Sequence, residues 1–334
     1  MKKSLSLIML LITVSMIVIA GCSTMNNQEK NTVENSEKTN ESNSSYPVTI
    51  ENAGQSLTFE KAPERVYGAY QQEAELLAEL DLQDKLVGYS MIIKNTPAEY
   101  KEKLQDVPIL SENSYPSKEV LLEADPEIII GSERSFNENG VGTIEELNDL
   151  GIDAYVTESE KPETVENMVY KEIEEISQIF GVEDRGDALI ENMQDEIDEV
   201  TAKIEAVDEP VKVLLMSGGE SGSAQVAGGN SLDSHLIELA GGENIFADEE
   251  EYLLEVSWEE IVERDPDVIV TSYCCGTGPE DLEKVIESNV SLQDVTAVKN
   301  ENYIAAQVED TTGNVRVAKG VRILAEGFYP DLFD

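Results

Sequence analysis

The chain has 334 residues, of which 69 are acidic and 23 are basic, so its formal net charge at pH 7 is −46. This charge argues strongly against nucleic acid and anionic lipid headgroups as partners, because the field of the chain repels both. Cys22, Cys274 and Cys275 are the only cysteines, so no disulfide framework organises the fold.

The first 22 residues have the layout of a lipoprotein signal peptide. Lys2 and Lys3 form a short positive region, residues 5–20 are mostly apolar, and small residues directly precede Cys22. This ending resembles the lipobox of bacterial lipoproteins, in which the cysteine thiol is acylated. The alternative is an uncleaved anchor helix, but the apolar stretch is shorter than the roughly 20 residues that span a bilayer. We therefore predict a lipid on Cys22 and an extracytoplasmic location at the cell membrane.

Residues 23–46 are almost free of large apolar side chains. A segment of this composition cannot bury enough apolar surface to offset the entropy lost when it becomes ordered. We predict a flexible tether that lets the folded part of the chain stand away from the bilayer.

Residues 47–162 alternate short apolar strands with helices. The strands are predicted at residues 65–69, 86–89, 127–131 and 154–156, and the helices at residues 73–80, 117–124 and 143–150. Apolar strands separated by helices are typical of a mostly parallel sheet that is covered by helices on both faces. This segment is therefore predicted to form an N-terminal α/β lobe.

Residues 163–209 are predicted to be helical, in one stretch over residues 163–180 and a longer one over residues 184–207. The longer helix has a single apolar stripe, formed by Leu189, Met193, Ile197, Val200 and Ile204. At 1.5 Å per residue this helix would be about 35 Å long. Its length favours a strut that joins two lobes, and the alternative is a surface helix on a single domain.

Residues 210–334 begin a second series of strands and helices, predicted to form a C-terminal lobe. Residues 117–130 align without a gap with residues 257–270, and the two segments share a serine, two glutamates and an Asp-Pro pair. Internal similarity of this kind indicates two lobes built on one plan.

Together these features resemble the class III substrate-binding proteins of ABC transporters, the group that delivers ferric siderophores, haem and cobalamin. The resemblance covers residues 47–333. It is carried by the Ala-Pro-Glu-Arg-Val sequence at residues 62–66, the repeated Ser-x-Glu-(x)5-Asp-Pro pattern, residues 239–244 and the long helix. It implies an α/β fold of two Rossmann-like lobes with mostly parallel sheets, joined by one long helix, with a ligand cleft between them. It also implies a protein that captures and delivers its ligand and is not an enzyme.

The resemblance further implies a partner, a dimeric ABC permease in the membrane. In proteins of this group, a glutamate on each lobe pairs with arginines of the permease, and the matching positions here are Glu119 and Glu259. Equivalent carboxylates on equivalent helices suit two equivalent basic pockets. The alternative is that each glutamate is simply favoured in a first helical turn by the helix dipole. The repetition of the pair favours docking.

Ligands of open parallel sheets bind beyond the carboxyl ends of the strands. This rule selects Tyr70, Tyr89, Arg134, Tyr273 and Arg316 as candidate ligand-binding residues. The tyrosines offer stacking faces and hydroxyl donors, and a guanidinium suits carboxylate or catecholate oxygens. The alternatives are tyrosines that only pack and arginines that are exposed on loops. The two arginines favour an anionic iron chelate, so a ferric siderophore is the first predicted ligand and cobalamin or haem is the alternative.

Direct metal binding is not predicted, because His235 is the only histidine. The glycine-rich residues 217–222 follow a strand but lack the lysine of a phosphate-binding loop. Cys274 and Cys275 would form a strained vicinal disulfide or remain free thiols. They also support a third hypothesis, an extracytoplasmic redox enzyme, which the absence of a Cys-x-x-Cys motif disfavours. No cofactor other than the lipid is expected.

Overall fold

The computed structural model describes residues 46–93, 96–157, 164–219, 222–273 and 278–333. Cys22, the predicted tether up to residue 45, and the Cys274–Cys275 pair lie outside these residues, so the lipid, tether and thiol remain predictions. Within the described ranges, no helix is both long enough and apolar enough to cross a membrane.

The N-terminal lobe has a five-stranded sheet with the strand order β5-β4-β3-β6-β7, in which every pair of neighbours is parallel. An antiparallel hairpin of β1 and β2 precedes it. The strands are β1 Val48–Asn52, β2 Gln55–Phe59, β3 Val66–Gly68, β4 Leu86–Ser90, β5 Ile109–Ser111, β6 Ile128–Ser132 and β7 Asp153–Thr157. The helices of this lobe are α1 Gln71–Glu79, α2 Ala98–Lys103, α3 Lys118–Glu123 and α4 Ile144–Asp149. The predicted parallel sheet is confirmed.

The C-terminal lobe has a mixed sheet with the strand order β11-β9-β8-β12-β13, and β10 also pairs with β8. Its strands are β8 Val211–Gly219, β9 Ser223–Ala227, β10 Gly242–Asn244, β11 Leu253–Ser257, β12 Val268–Tyr273 and β13 Tyr303–Gln307. The central strands are parallel, as predicted, whereas β9 and β11 add an antiparallel edge that the sequence pattern did not indicate.

Helices cover both lobes and link them. A π-helical turn over Val165–Tyr170 leads into α5 Lys171–Phe180, where a single helix was predicted, and Gly181 ends α5 in the left-handed conformation that glycine adopts easily. The remaining helices are α6 Glu183–Ile204, α7 Leu232–Leu239, α8 Trp258–Arg264, α9 Pro279–Ser288, α10 Thr296–Lys299, α11 Val308–Thr311, α12 Val317–Phe328 and α13 Pro330–Phe333.

The predicted long helix is α6, which packs against α5 and against α12 of the C-terminal lobe, and its Arg185 donates a hydrogen bond to the Leu80 carbonyl oxygen of the N-terminal lobe. Its buried side includes Met193, Ile197 and Val200, as the apolar stripe predicts. Arg322 of α12 holds the pair together at the surface, with Nε 2.9 Å from a Glu196 carboxylate oxygen. The helix therefore lies between elements of the two lobes, and one apolar core continues from each lobe across it.

The sequence repeat is also a structural repeat. In both copies a serine hydroxyl accepts the backbone N–H three residues on, and so caps a short helix; an aspartate with positive φ, Asp125 or Asp265, follows within two residues of the helix end. Residues 121–130 and residues 261–270 have the same sequence of buried, half-buried and exposed positions. An acidic side chain follows the Asp-Pro pair in each lobe. Glu127 accepts a hydrogen bond from the backbone N–H of Arg65, which directly precedes β3, and Asp267 accepts one from the backbone N–H of Lys212 on β8. The predicted common plan of the lobes is confirmed.

Candidate functional site

Segments that follow strand ends in the two lobes meet at an interlobe seam, formed by Gln72, Glu75, Asp310, Thr312 and Arg316. The first two lie on α1, which begins just after β3 in the N-terminal lobe, and the others lie just beyond β13 in the C-terminal lobe. Gln72 Nε2 donates a hydrogen bond to Thr312 Oγ1 at 2.9 Å. The seam therefore lies where the strand-end rule places a ligand cleft.

The centre of the seam is a buried ion cluster. Arg316 is 3% exposed, and its guanidinium lies 3.3 Å from a Glu75 oxygen and 3.3 Å from an Asp310 oxygen. No guanidinium nitrogen makes a well-directed hydrogen bond to any described residue, although Gln71 donates one to the other Glu75 oxygen at 2.8 Å. The positive charge of Arg316 is therefore offset by two carboxylates rather than presented to a cleft.

Burial governs the protonation of Glu75 in this cluster. Loss of water around Glu75 raises the pKa of its carboxyl to about 7, against the opposing effects of the Arg316 charge and the Gln71 hydrogen bond. Burial likewise raises the pKa of the neighbouring Glu309 carboxyl. The seam therefore gains or loses protons close to neutral pH.

We expect Glu75→Gln to flatten the pH dependence of stability. The native-state pKa of Glu75 lies above the unfolded value of about 4.3. Its stabilising contribution to the free energy of unfolding is therefore fully present below about pH 4.3 and is lost as the pH rises to about 7. Glu75→Gln should abolish this fall in the free energy of unfolding with rising pH, which amounts to up to about 1.4 kcal/mol per pH unit between the two pKa values. Urea unfolding at a series of pH values measures it. The same change at the exposed Glu102 is the control, and an unaltered slope in Glu75→Gln would contradict the assignment.

The predicted tyrosines differ in their surroundings. Tyr70 directly precedes α1 and is half-buried, and its ring packs edge-on against Tyr115 with centroids 5.8 Å apart. Tyr273 ends β12 and is also half-buried, whereas Tyr89 is buried in the core of the N-terminal lobe. Burial raises the pKa of the Tyr89 and Tyr273 hydroxyls. The structure therefore leaves part of Tyr70 and Tyr273 accessible at strand ends.

Arg134 makes a second contact between the lobes. It lies in a 3-10 turn directly after β6, is exposed, and donates a hydrogen bond of 3.3 Å from Nη2 to the Tyr252 hydroxyl in the C-terminal lobe. The two predicted arginines therefore have different environments, because Arg134 reaches solvent and Arg316 does not. The ligand-binding roles of both remain predictions.

Glu119 and Glu259 are both exposed and both occupy the second position of a short helix, in α3 and α8. The Glu119 backbone N–H and the Ser117 hydroxyl lower the pKa of the Glu119 carboxyl. Among the described residues, no cation forms an ion pair with either carboxylate. Both are therefore available to an external partner.

Other candidate sites gain no support within the described part of the chain. It contains no group of three His, Cys, Asp or Glu side chains placed to hold a metal ion. His235 instead has Nε2 3.6 Å from a Glu166 oxygen.

Neither acidic member of the seam was singled out from the sequence, although Asp310 lies in the loop after β13 that the strand-end rule selects. The residues three and four positions from Glu75 on α1 are polar except for Ala78, so the sequence pattern gave no signal that this carboxylate is buried. A buried carboxylate needs a partner. The partner itself could not be found from the sequence.

Two lobes on one plan, a long helix between them and a seam at the strand ends define a two-lobed binding protein. A sequence model described as periplasmic binding protein matches residues 68–307, and the chain belongs to that family. A solved periplasmic binding protein from Veillonella parvula has the same fold, with a TM-score of 0.76 and 20% identity, over 85% of this chain and 97% of the other.

Several relatives carry more specific names. An uncharacterized ABC transporter substrate-binding lipoprotein, YvrC of Bacillus subtilis, is 24% identical over 95% of both chains. A vitamin B12-binding protein of Vibrio parahaemolyticus is 25% identical over 65% of this chain and 74% of its own. A structure described as an ABC-type Fe3+-hydroxamate transport system of Saccharomonospora viridis has a TM-score of 0.73 and 23% identity, over 85% of this chain and 99% of the other.

Proposed function

We propose that this protein is the substrate-binding component of an ABC importer, held at the outer face of the cell membrane by a lipid on Cys22. The observation that carries the proposal is the pair of equivalent, exposed carboxylates, Glu119 and Glu259, on two lobes of one plan, which form no ion pair with any residue that the structure describes. A relative that spans 95% of both chains is named an ABC transporter substrate-binding lipoprotein, which supports this role and the anchor. Its function is capture and delivery of a ligand rather than chemistry.

For the ligand we propose a cobalamin-type corrinoid. The sequence favoured an anionic ferric siderophore because two arginines were expected at the cleft. Glu75 and Asp310 pair with Arg316, and Asp310 also pairs with Lys319, so the charges of this cluster nearly cancel and attract an anion only weakly. The half-buried ring of Tyr70 beside Tyr115 suits a large ligand with little charge. The names of a vitamin B12-binding relative and a cobalamin-binding relative agree with this choice.

A ferric siderophore is the second candidate, and Arg134 is the observation that favours it. Its guanidinium is exposed near the Tyr252 hydroxyl of the other lobe, where it could donate to chelate oxygens. A structure described as a ferric hydroxamate transport protein shares the fold.

Isothermal titration calorimetry with cyanocobalamin, haem, a ferric catecholate and a ferric hydroxamate tests both candidates. We expect saturable binding of cyanocobalamin, weakened about tenfold, or about 1.4 kcal/mol, by Tyr70→Ala. Tyr303→Ala is the matched control. Tyr303 begins β13 and so lies at the amino end of the strand, away from the carboxyl ends where the ligand is expected. Tighter binding of the ferric catecholate would favour the siderophore, and no saturable binding of any of the four would contradict the proposal. The variant Cys274→Ser with Cys275→Ser should retain its ligand affinity. A redox enzyme that uses these thiols would instead lose its activity.

A further inference from the structure

The helices that carry Glu119 and Glu259 also expose large apolar side chains. On α3, Val120 is 39% exposed and Leu122 is 41% exposed, and on α8 Val262 is 37% exposed. Leu122 and Val262 occupy equivalent positions of the repeat, each three residues after its glutamate. An exposed apolar residue is ordinary when it occurs once, but here it recurs in both lobes beside the same acidic residue.

These side chains are only partly covered by the fold. Leu121 and Ile261, which are 1% and 0% exposed, anchor the inner faces of the two helices. About two-fifths of Leu122 and of Val262 faces water on a chain whose net charge is −46. This exposed apolar surface is available to a partner outside the folded chain.

Helical geometry places each apolar side chain next to its carboxylate, because residues three apart are neighbours on a helix surface. Glu119 with Leu122, and Glu259 with Val262, thus form two matched patches in which a charge lies beside an apolar group. Apolar neighbours that exclude water strengthen a charge pair across an interface.

We propose that Leu122 and Val262, with Val120, form the apolar part of a docking surface for an ABC permease dimer. The inference rests on the proposed function. Each half of the dimer would present a basic side chain flanked by apolar groups, so that the ion pair and apolar contact form together. A second copy of this chain is a poor occupant, because it brings the same carboxylates and the same net charge of −46.

Site-specific photo-crosslinking tests the surface in cells that make the full lipoprotein. The photoreactive residue p-benzoyl-phenylalanine replaces Leu122, Val262, Glu119 or Glu259 in single variants, each of which keeps at least one of the two carboxylates. We expect the same multi-spanning permease subunit, identified by mass spectrometry, to be labelled from all four positions. Ile109 and Leu332 are the controls, since they are 47% and 44% exposed and lie on β5 and α13, which pack on β4 and on α6 and α12, and they should give at least tenfold less of this product.

The outcomes separate this inference from the function on which it rests. Labelling from Glu119 and Glu259 but not from Leu122 and Val262 would overturn the apolar surface and leave the proposed function standing. Labelling of the permease from none of the four would count against both. Equal labelling from Ile109 or Leu332 would also overturn the inference, because contact would then not be confined to the two patches.

Discussion

Reversing the charge at Glu119 and Glu259 together is expected to abolish uptake while ligand affinity stays within about twofold. Each lobe would then present a lysine ammonium to a basic pocket of the permease, so that like charges meet. Even truncation of one partner of a close charge pair costs about 2–5 kcal/mol of binding free energy, and repulsion adds to that loss. Neither residue belongs to the interlobe seam, so the ligand is not affected. Uptake of labelled cyanocobalamin by cells, or of the chelate that saturates the protein, measures the first effect, and calorimetry measures the second.

A matched control separates docking from helix electrostatics. Glu145 and Asp184 are exposed and occupy the second position of α4 and α6, so their reversal makes the same change in net charge and at the same place in a helix. The variant Glu145→Lys with Asp184→Lys should support normal uptake. Equal loss of uptake in this variant, or loss of ligand affinity in the Glu119 and Glu259 variant, would refute the docking role.

Arg316→Met is expected to lower the free energy of unfolding by about 3–5 kcal/mol. The substitution leaves Glu75 buried without its cation and Asp310 with only the half-exposed Lys319, and an uncompensated buried charge is costly. Urea unfolding followed by circular dichroism at pH 8 measures the loss. Arg322→Met is the control, because its ion pairs with Glu196 and Glu199 are partly exposed and should contribute less than about 1 kcal/mol.

The reason for the loss can be tested by removing the remaining charges. Combining Arg316→Met with Glu75→Met and Asp310→Leu should recover most of the stability, since apolar side chains of similar volume can replace a buried ion cluster at little cost. A loss below about 1 kcal/mol in Arg316→Met would contradict the buried cluster. Failure of the triple variant to recover would show that packing of Arg316, rather than charge, holds the seam.

Much of the fold follows from local patterns in the sequence. The strand at residues 127–131 is an apolar run after an Asp-Pro pair, and β6 occupies almost the same residues. The long helix was identified from a stripe that remains on one side of α6. Neighbouring residues determine such features, because a helix or strand must place its apolar side chains on the face that packs.

The antiparallel edge of the C-terminal sheet shows where this reasoning stops. Strands β9 and β11 are each five residues long, and their pairing joins residues 223–227 to residues 253–257. Strand periodicity reports which face is buried but not which strand lies alongside. The partner is selected by packing within the whole lobe.

The sequence by itself determined the acidic character, the signal peptide pattern, the alternation of the central parallel strands with helices, and the repeat that pairs Glu119 with Glu259. Only the tertiary structure decided the environment of Arg316. Its seam joins side chains as far apart as Gln72 and Thr312, which are separated by 240 residues. The sequence around an arginine does not distinguish one that faces a ligand from one that faces two buried carboxylates. The difference lies in the desolvation and charge of its neighbours, and those neighbours come together only when the two lobes meet.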